Sequence, residues 1–529
     1  MPASSLTWQT PADVPLDYQG PVDVPFTPPL PGGMRQSVWA LLQLVAARNP
    51  TALALTDGLT RITYGMLLAR ALTLAQQIAE TVPNGAAVAM LLPQSPDAVI
   101  GVLAALAGGR PVLLLNADHP AERNATILGD NGVAAVIAWD DASALRVPDG
   151  MRCIAVTCGE ERAGHWQPRP AETEAPAVVL YTSGSTGRPK GIVLSQQAVV
   201  SRALQNLCAQ HLNQADRVIV SSATSSIAGL ISSLAVLLSG GALYQAPWPS
   251  ITRVLSMIRD ERITVIMGLP ALLGLLLTSD VAPAALASLR MLRTTGDALL
   301  RSDIDGWRAA LSPTCHVNIT YGLTEVAVAQ WFVPRDFGTS TAALPAGFPM
   351  AGLEFAILGD DGKPAGHGEA GELVVRGSTI ACGEWQNGHC VAGRMPPDPE
   401  DPSQRIFHTG DIVRLLPDGM LHFVARSDRQ VQIRGQRVEP AEIEEVLRRA
   451  SGVADAAVVP RIDGDETTLL AFVVGTGENL TAALRNRLHQ HLPSFMWPAA
   501  IHEVASLPRL PGGKVDQRAL LALATDLTA

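Results

Sequence analysis

The chain has 529 residues, 47% of them hydrophobic and 17% charged, with a formal net charge of −10. That length exceeds what one core usually supports, so two or more domains are expected. The acidic balance, with Lys and Arg scattered rather than clustered, excludes nucleic acid and an anionic membrane as main partners.

Residues 1–35 carry the proline-rich run PFTPPLP at Pro25–Pro31 and read as an extended arm. The opening MPASSLTWQTPADVP lacks the basic and apolar regions of a signal peptide. VWALLQLVAAR then reads as a helix, and AAVAMLL and PVLLLN read as buried strands with a helix from Pro96 to Ala107 between them. The alternation recurs at AVVLYT, VIVSS, VIMGLP and MLRTTG, which predicts parallel sheets covered by helices. The uncharged run Val218–Thr252 is long enough to span a bilayer. Its Ser and Gly content, its break at Gly240-Gly241 and its lack of basic flanks predict a buried helix and strand instead. After about residue 350, Gly and Asp-Gly turns predict hairpins. A last α+β unit starts near Arg429, with helices in EPAEIEEVLRRA and LTAALRNRLHQHL and strands in AAVVP and LLAFVVG. The expected domains are an arm (1–35), a core (36–427) and a small C-terminal domain (428–529). Six cysteines show neither CxxC nor zinc spacing, which predicts reduced thiols and a cytoplasmic location.

The stretch YTSGSTGRPKG, Tyr181 to Gly191, carries the first chemistry. It joins two predicted buried strands. Its glycines let backbone N–H groups converge, its hydroxyls add donors, and Lys190 supplies a positive charge. Such a nest suits phosphate. It is not a Walker A loop, because the lysine does not directly follow the glycine of a GxxxxGK pattern.

YTSGSTGRPKG resembles the phosphate loop of the adenylate-forming superfamily, which includes acyl-CoA ligases, luciferases and the adenylation domains of nonribosomal peptide synthetases. Further motifs follow in that family's order. Asn318–Glu325 (NITYGLTE) resembles NxYGxTE, with Leu323 where proline is common, and Gly371-Glu-Leu373 resembles GEL. His408-Thr-Gly-Asp411 is similar to RTGD, with histidine in the arginine's place. Arg426–Gly435 (RSDRQVQIRG) is similar to GRxDxQVKIRG, and Pro511–Asp516 (PGGKVD) resembles NGKVD. The resemblance implies two parallel α/β sheets with a small β-barrel-like part, then a mobile α+β lid. It implies ATP, Mg2+ and a thiol acceptor.

The roles it implies are specific. Thr182, Ser183, Gly184, Ser185, Thr186, Gly187 and Lys190 would cradle phosphate, with Gly296 and Gly322 in the same nucleotide-binding set. Tyr321 offers a face for adenine. Thr324 can bond the α-phosphate. Glu325 is a hard oxygen ligand suited to Mg2+. Asp411 can accept both ribose hydroxyls, and Arg426 adds a donor there. Lys514 would bridge the substrate carboxylate and the α-phosphate as charge develops. Asp428 is the implied hinge, about which the lid turns to present a second face, around Ile433–Gly435, for thioester formation. A thiol displaces AMP, so no enzyme nucleophile is required.

QVQIRGQRVEPAEIE is closer to peptide-synthetase adenylation domains than to acyl-CoA ligases. That favours the phosphopantetheine thiol of a carrier protein, and the absence of a carrier segment after the last motif implies loading of a separate carrier in trans. The alternative is a CoA ligase for an aromatic or short-chain acid. In relatives that take α-amino acids, an aspartate pairs with the ammonium group. Counting back from LLSGG puts Ile227 in its place, and an isoleucine leaves a buried ammonium unpaired at several kcal/mol. The same counting gives a pocket of Ile227, Ala228, Ile231, Met267, Arg293, Thr295, Thr320, Val328 and Ala329. Being small and mostly apolar, it predicts an aryl acid of the anthranilate or hydroxybenzoate kind, with Arg293 available to a phenolic oxygen or a second carboxylate.

Overall fold

In the computed structural model the described residues are 7–10, 14–25, 36–139, 147, 150–156, 167–169, 172–184, 188–246, 250–277, 285–337, 343–359, 361–366, 368–463, 466–477, 479–509 and 515–528. Two large sheets dominate. One has nine strands, and its centre runs Ala327–Phe332, His316–Gly322, Met291–Thr295, Val265–Gly268, Arg217–Val220 and Ala242–Tyr244. The other has eight, centred on Lys190–Ser195, Pro176–Thr182, Val112–Asn116 and Val88–Leu92. Both are parallel in the middle; the nine-stranded sheet ends in antiparallel strands on both sides, the eight-stranded sheet on the Lys190–Ser195 side only.

Helices fill the space between the sheets. Pro96–Ala107 is buried at every position but Asp97, as its apolar run from Ala98 onward requires. The uncharged segment at 218–252 resolves into the 13-residue helix Ile227–Ser239 and the buried strand Ala242–Tyr244. Ser226 caps this helix by accepting from the Gly229 N–H, and Gly240 ends it in the left-handed conformation that glycine permits. No helix among the described residues is long and apolar enough to cross a membrane.

Strands Glu354–Leu358, Ala370–Gly377, Arg405–Leu415 and Leu421–Arg426 form an antiparallel sheet. It stays open where a barrel-like part was expected. Its edges are covered instead: Leu421 pairs with Gly347 from the nine-stranded side, and Phe355 pairs with Gln9 from the N-terminal segment. Past Arg426 the chain builds a core of its own around Val438, Ile443, Val458, Ala471 and Leu484.

Tyr64 ties the helix Tyr64–Thr81 to the end of Ile227–Ser239. Its buried hydroxyl lies 2.9 and 2.8 Å from the Leu237 and Gly241 carbonyls, which share its proton. Tyr64→Phe leaves both acceptors buried without that donor. It is expected to cost about 2 kcal/mol, read as a lower thermal midpoint, with faster hydrogen exchange at Leu237–Gly241.

Candidate functional site

The site gathers at the C-terminal ends of the parallel strands, where open α/β sheets bind ligands. Thr182 closes the strand Pro176–Thr182, and Ser183 and Gly184 start the loop beyond it. A Cβ at Gly184 would sit 2.0 Å from the Arg188 carbonyl, so only glycine fits this turn. Ser185, Thr186 and Gly187 lie outside the described residues, as does Lys514. Lys190 pairs with Glu384, and its burial holds its pKa below the ordinary lysine value.

Arg202, fully buried, fixes the 318–325 motif from beneath. It donates to the carbonyls of Thr324 (3.0 Å), Glu325 (2.5 Å) and Thr379 (2.8 Å). Burial pulls its pKa down to about 10. Tyr321 donates to Asp411, and Asp411 also pairs with Arg426. Burial raises the Asp411 carboxyl against the lowering effect of Arg426. Arg426 reaches on to Asp428, with Nε 2.9 Å from Oδ1, so the implied hinge is bonded to the strand it follows. The sequence motifs that set Tyr321, Asp411, Arg426 and Asp428 apart by up to 107 positions converge here in one hydrogen-bonded cluster.

The C-terminal domain lies against this site. Strands Val431–Ile433 and Gln436–Val438 pair through a two-residue turn. Both turn residues have positive φ, 50° at Arg434 and 72° at Gly435, the pattern of a type I′ hairpin. The turn docks beside Gly296: a Cβ there would come within 3.3 Å of the Gly435 Cα. The Asp297 carboxylate accepts from the Gly435 N–H. Ser183 donates to the Arg437 carbonyl at 2.7 Å, and the Gly184 N–H donates to Glu442, which also pairs with the buried Arg123. In this position the lid takes up donors of the phosphate loop.

Glu325 has no exposure and both oxygens engaged. Arg437 lies 3.0 and 2.9 Å from them, and Arg394 donates to one at 3.0 Å. Burial alone would raise its pKa, but the two guanidiniums outweigh it and hold the carboxyl below 4.5. In this lid position the residues do not fit Mg2+, because the implied ligand is already saturated by cations and no cluster of three potential ligands exists among the described residues.

Strand register arranges the pocket. Met267, Arg293 and Asn318 form one row, and Thr295, Thr320 and Gln330 the next. Ala329 pairs with Tyr321 and falls on the face opposite Gln330, and Val328 lies in the bulge between the Tyr321–Ala329 and Gly322–Ala327 pairs. Ile227, Ala228 and Ile231 occupy the first turns of the helix Ile227–Ser239. Arg293 crosses to that helix, donating to Ser232 at 2.8 Å.

Comparison with known proteins decides the family. Residues 42–385 match the AMP-binding enzyme family, and residues 442–514 match the AMP-binding enzyme C-terminal domain. The chain belongs to the AMP-binding enzyme family. It is an adenylate-forming ligase. It is 32% identical over 497 residues to tyrocidine synthase 2 of Brevibacillus parabrevis, covering 92% of this chain and 13% of that protein. The chain thus spans under a fifth of this relative's length. Its fold is similar to NpsA-ThdA, an artificially fused adenylation-PCP di-domain from Klebsiella oxytoca (TM-score 0.76, 23% identity, 88% and 93% of the chains covered). It is equally similar to the o-succinylbenzoate CoA synthetase MenE of Bacillus subtilis (TM-score 0.77, 22% identity, 92% and 98% covered).

Sequence reasoning missed Arg394, Arg437, Arg123, Glu442 and Ser232. Arg437 stood beside a recognised motif, two residues past Gly435, and could have been found. The Arg123–Glu442 pair joins positions 319 apart and left no local signal. Two outcomes test the Glu325 cluster. Arg437→Ala removes the lid's guanidinium from a buried carboxylate and should weaken this lid position by about 3 kcal/mol, the low end for a broken buried pair, because Arg394 remains. Faster hydrogen exchange across 431–438 is the readout. Because the Glu325 pKa is depressed, the stabilisation is present above pH 4.5 and lost as pH falls through the depressed value. Acid titration at fixed ionic strength should therefore raise the 431–438 exchange rate relative to the global core only below pH 4.5, once intrinsic exchange is corrected.

Proposed function

We propose that this chain activates a carboxylic acid lacking an α-ammonium group, an aryl acid foremost, and passes it to the phosphopantetheine thiol of a separate carrier protein. The acid's carboxylate oxygen attacks the α-phosphorus of ATP and pyrophosphate leaves. The thiolate then attacks the acyl carbon and AMP leaves with the C–O bonding electrons. The arm, core and lid divide at residues 35 and 427, and the location is cytoplasmic.

The observation that carries the substrate reading is that the described residues assigned to the pocket include no carboxylate. Ile227 opens the pocket helix, and the rows Met267–Arg293–Asn318 and Thr295–Thr320–Gln330 hold no acid among them. An ammonium group buried there has no counter-charge and meets a guanidinium instead.

In this proposal Tyr321, Asp411 and Arg426 hold the adenosine, with Asp411 exchanging the Tyr321 hydroxyl for ribose. Thr182, Ser183, Gly184, Ser185, Thr186, Gly187 and Lys190 hold the leaving phosphates. Thr324 orients the α-phosphate, and Lys514 steadies charge during adenylation. The lid position described belongs to the second half-reaction. Two features support this: the Gly435 turn faces Gly296, and Glu442 and Arg437 occupy loop donors that a triphosphate needs. Asp428 is the hinge between the two positions.

ATP–pyrophosphate exchange against α-amino acids, substituted benzoates, anthranilates, short aliphatic acids and diacids tests the reading. Exchange with an aryl acid and none with α-amino acids is expected; strong exchange with an α-amino acid overturns the pocket argument. Lys514→Ala should reduce exchange by at least about 100-fold while leaving ATP binding measurable by calorimetry. Ile227→Asp should lower kcat/KM for the native acid. Acceptance from holo carrier protein in preference to free CoA separates the proposal from a CoA ligase.

A further inference from the structure

Arg293 is the buried arginine whose surroundings do not account for it. It is 8% exposed, and burial alone pulls its pKa down to about 10. Its one hydrogen bond goes to the neutral Ser232 hydroxyl, and its Nε has no partner. Other buried arginines are provided for: Arg202 has three carbonyls, Arg123 has Glu442, and Arg110 has the Gly108 and Val82 carbonyls and the Asn84 side-chain oxygen. The carboxylates of the site are committed elsewhere, Glu325 to Arg394 and Arg437, Asp411 to Arg426, and Asp297 to the Gly435 N–H. Beside Arg293 in the sheet stand Met267 and Asn318, both uncharged. A guanidinium buried without a counter-ion costs several kcal/mol.

We infer that the acid held in this pocket carries a second carboxylate, which pairs with the Arg293 guanidinium beside Ser232; this rests on the reading that the pocket receives the acid to be activated. The planar guanidinium offers parallel donors that match a carboxylate in a two-point contact. Ser232, bonded to Arg293 and one turn past Ala228 on the pocket helix, fixes the guanidinium and is a positioning residue. Depth sets the size of the ligand. Arg293 lies two residues below Thr295, the last residue of its strand, and the lid's turn docks at the next residue, Gly296. Two residues of strand span about 6.6 Å, the scale of a benzene ring with carboxyl groups on distant carbons, or of a short straight-chain diacid. The reacting carboxyl group lies at the Gly296 end and the second at the floor.

The test is ATP–pyrophosphate exchange by the full chain with benzene-1,3- and 1,4-dicarboxylate and the C4 to C6 straight-chain diacids. Each is paired with its half-amide, which keeps shape and reacting carboxylate but loses the second charge. The wild-type enzyme should prefer at least one diacid over its half-amide by about 100-fold or more in kcat/KM. Arg293→Met should collapse or invert that ratio. Ser232→Ala, the gentler change, should raise KM for the diacid several-fold more than for the half-amide. Both substrates are measured on the same preparation, so a loss of folded enzyme cancels in the ratio. A wild-type preference for neutral acids, or a ratio unmoved by Arg293→Met, overturns the inference while leaving acid activation intact. Exchange with α-amino acids alone overturns the pocket reading itself, and the inference with it.

Discussion

A carboxylate sealed from solvent between two guanidiniums governs how the two parts of this chain sit together. Glu325 belongs to the core and Arg437 to the lid, while Arg394 approaches from the segment after the hairpin that carries Glu384. A buried ion pair is expensive to break because either partner left alone keeps its desolvation cost. The lid therefore has a discrete seat, not a diffuse contact. Arg202 makes that seat rigid by gripping the backbone on which Glu325 rides.

The same logic extends to the phosphate loop. Its Gly184 N–H meets Glu442 and its Ser183 hydroxyl meets the Arg437 carbonyl. Donors built for an anion are here satisfied by the lid. The type I′ turn at Arg434–Gly435 is what lets the lid backbone come so close to Gly296, since a side chain at Gly435 would clash with Leu269 at 2.5 Å.

The pocket presents the opposite situation. Its one cation, among the described residues of the two rows, is left with a single neutral partner. Where the lid interface pairs the Glu325 carboxylate twice over, the pocket leaves a buried charge for something else to pair. Closing the electrostatic balance within an interface and leaving it open within a binding site are complementary uses of the same desolvation cost.

The amino-acid sequence by itself determined the alternating α/β architecture, the buried helix at 227–239 and the set of short motifs, because apolar periodicity and glycine-rich turns are local properties. It predicted a barrel-like part that is an open sheet, since closure depends on which distant segments cover the edges at Gly347 and Gln9. The tertiary structure alone decided which charges meet: Glu325 with Arg437, Glu442 with Arg123, and Arg293 with only Ser232. Pairing across hundreds of residues leaves no periodic trace. Only packing, by removing water from some groups and not others, decides which scattered charge finds a partner within the chain and which must find one outside it.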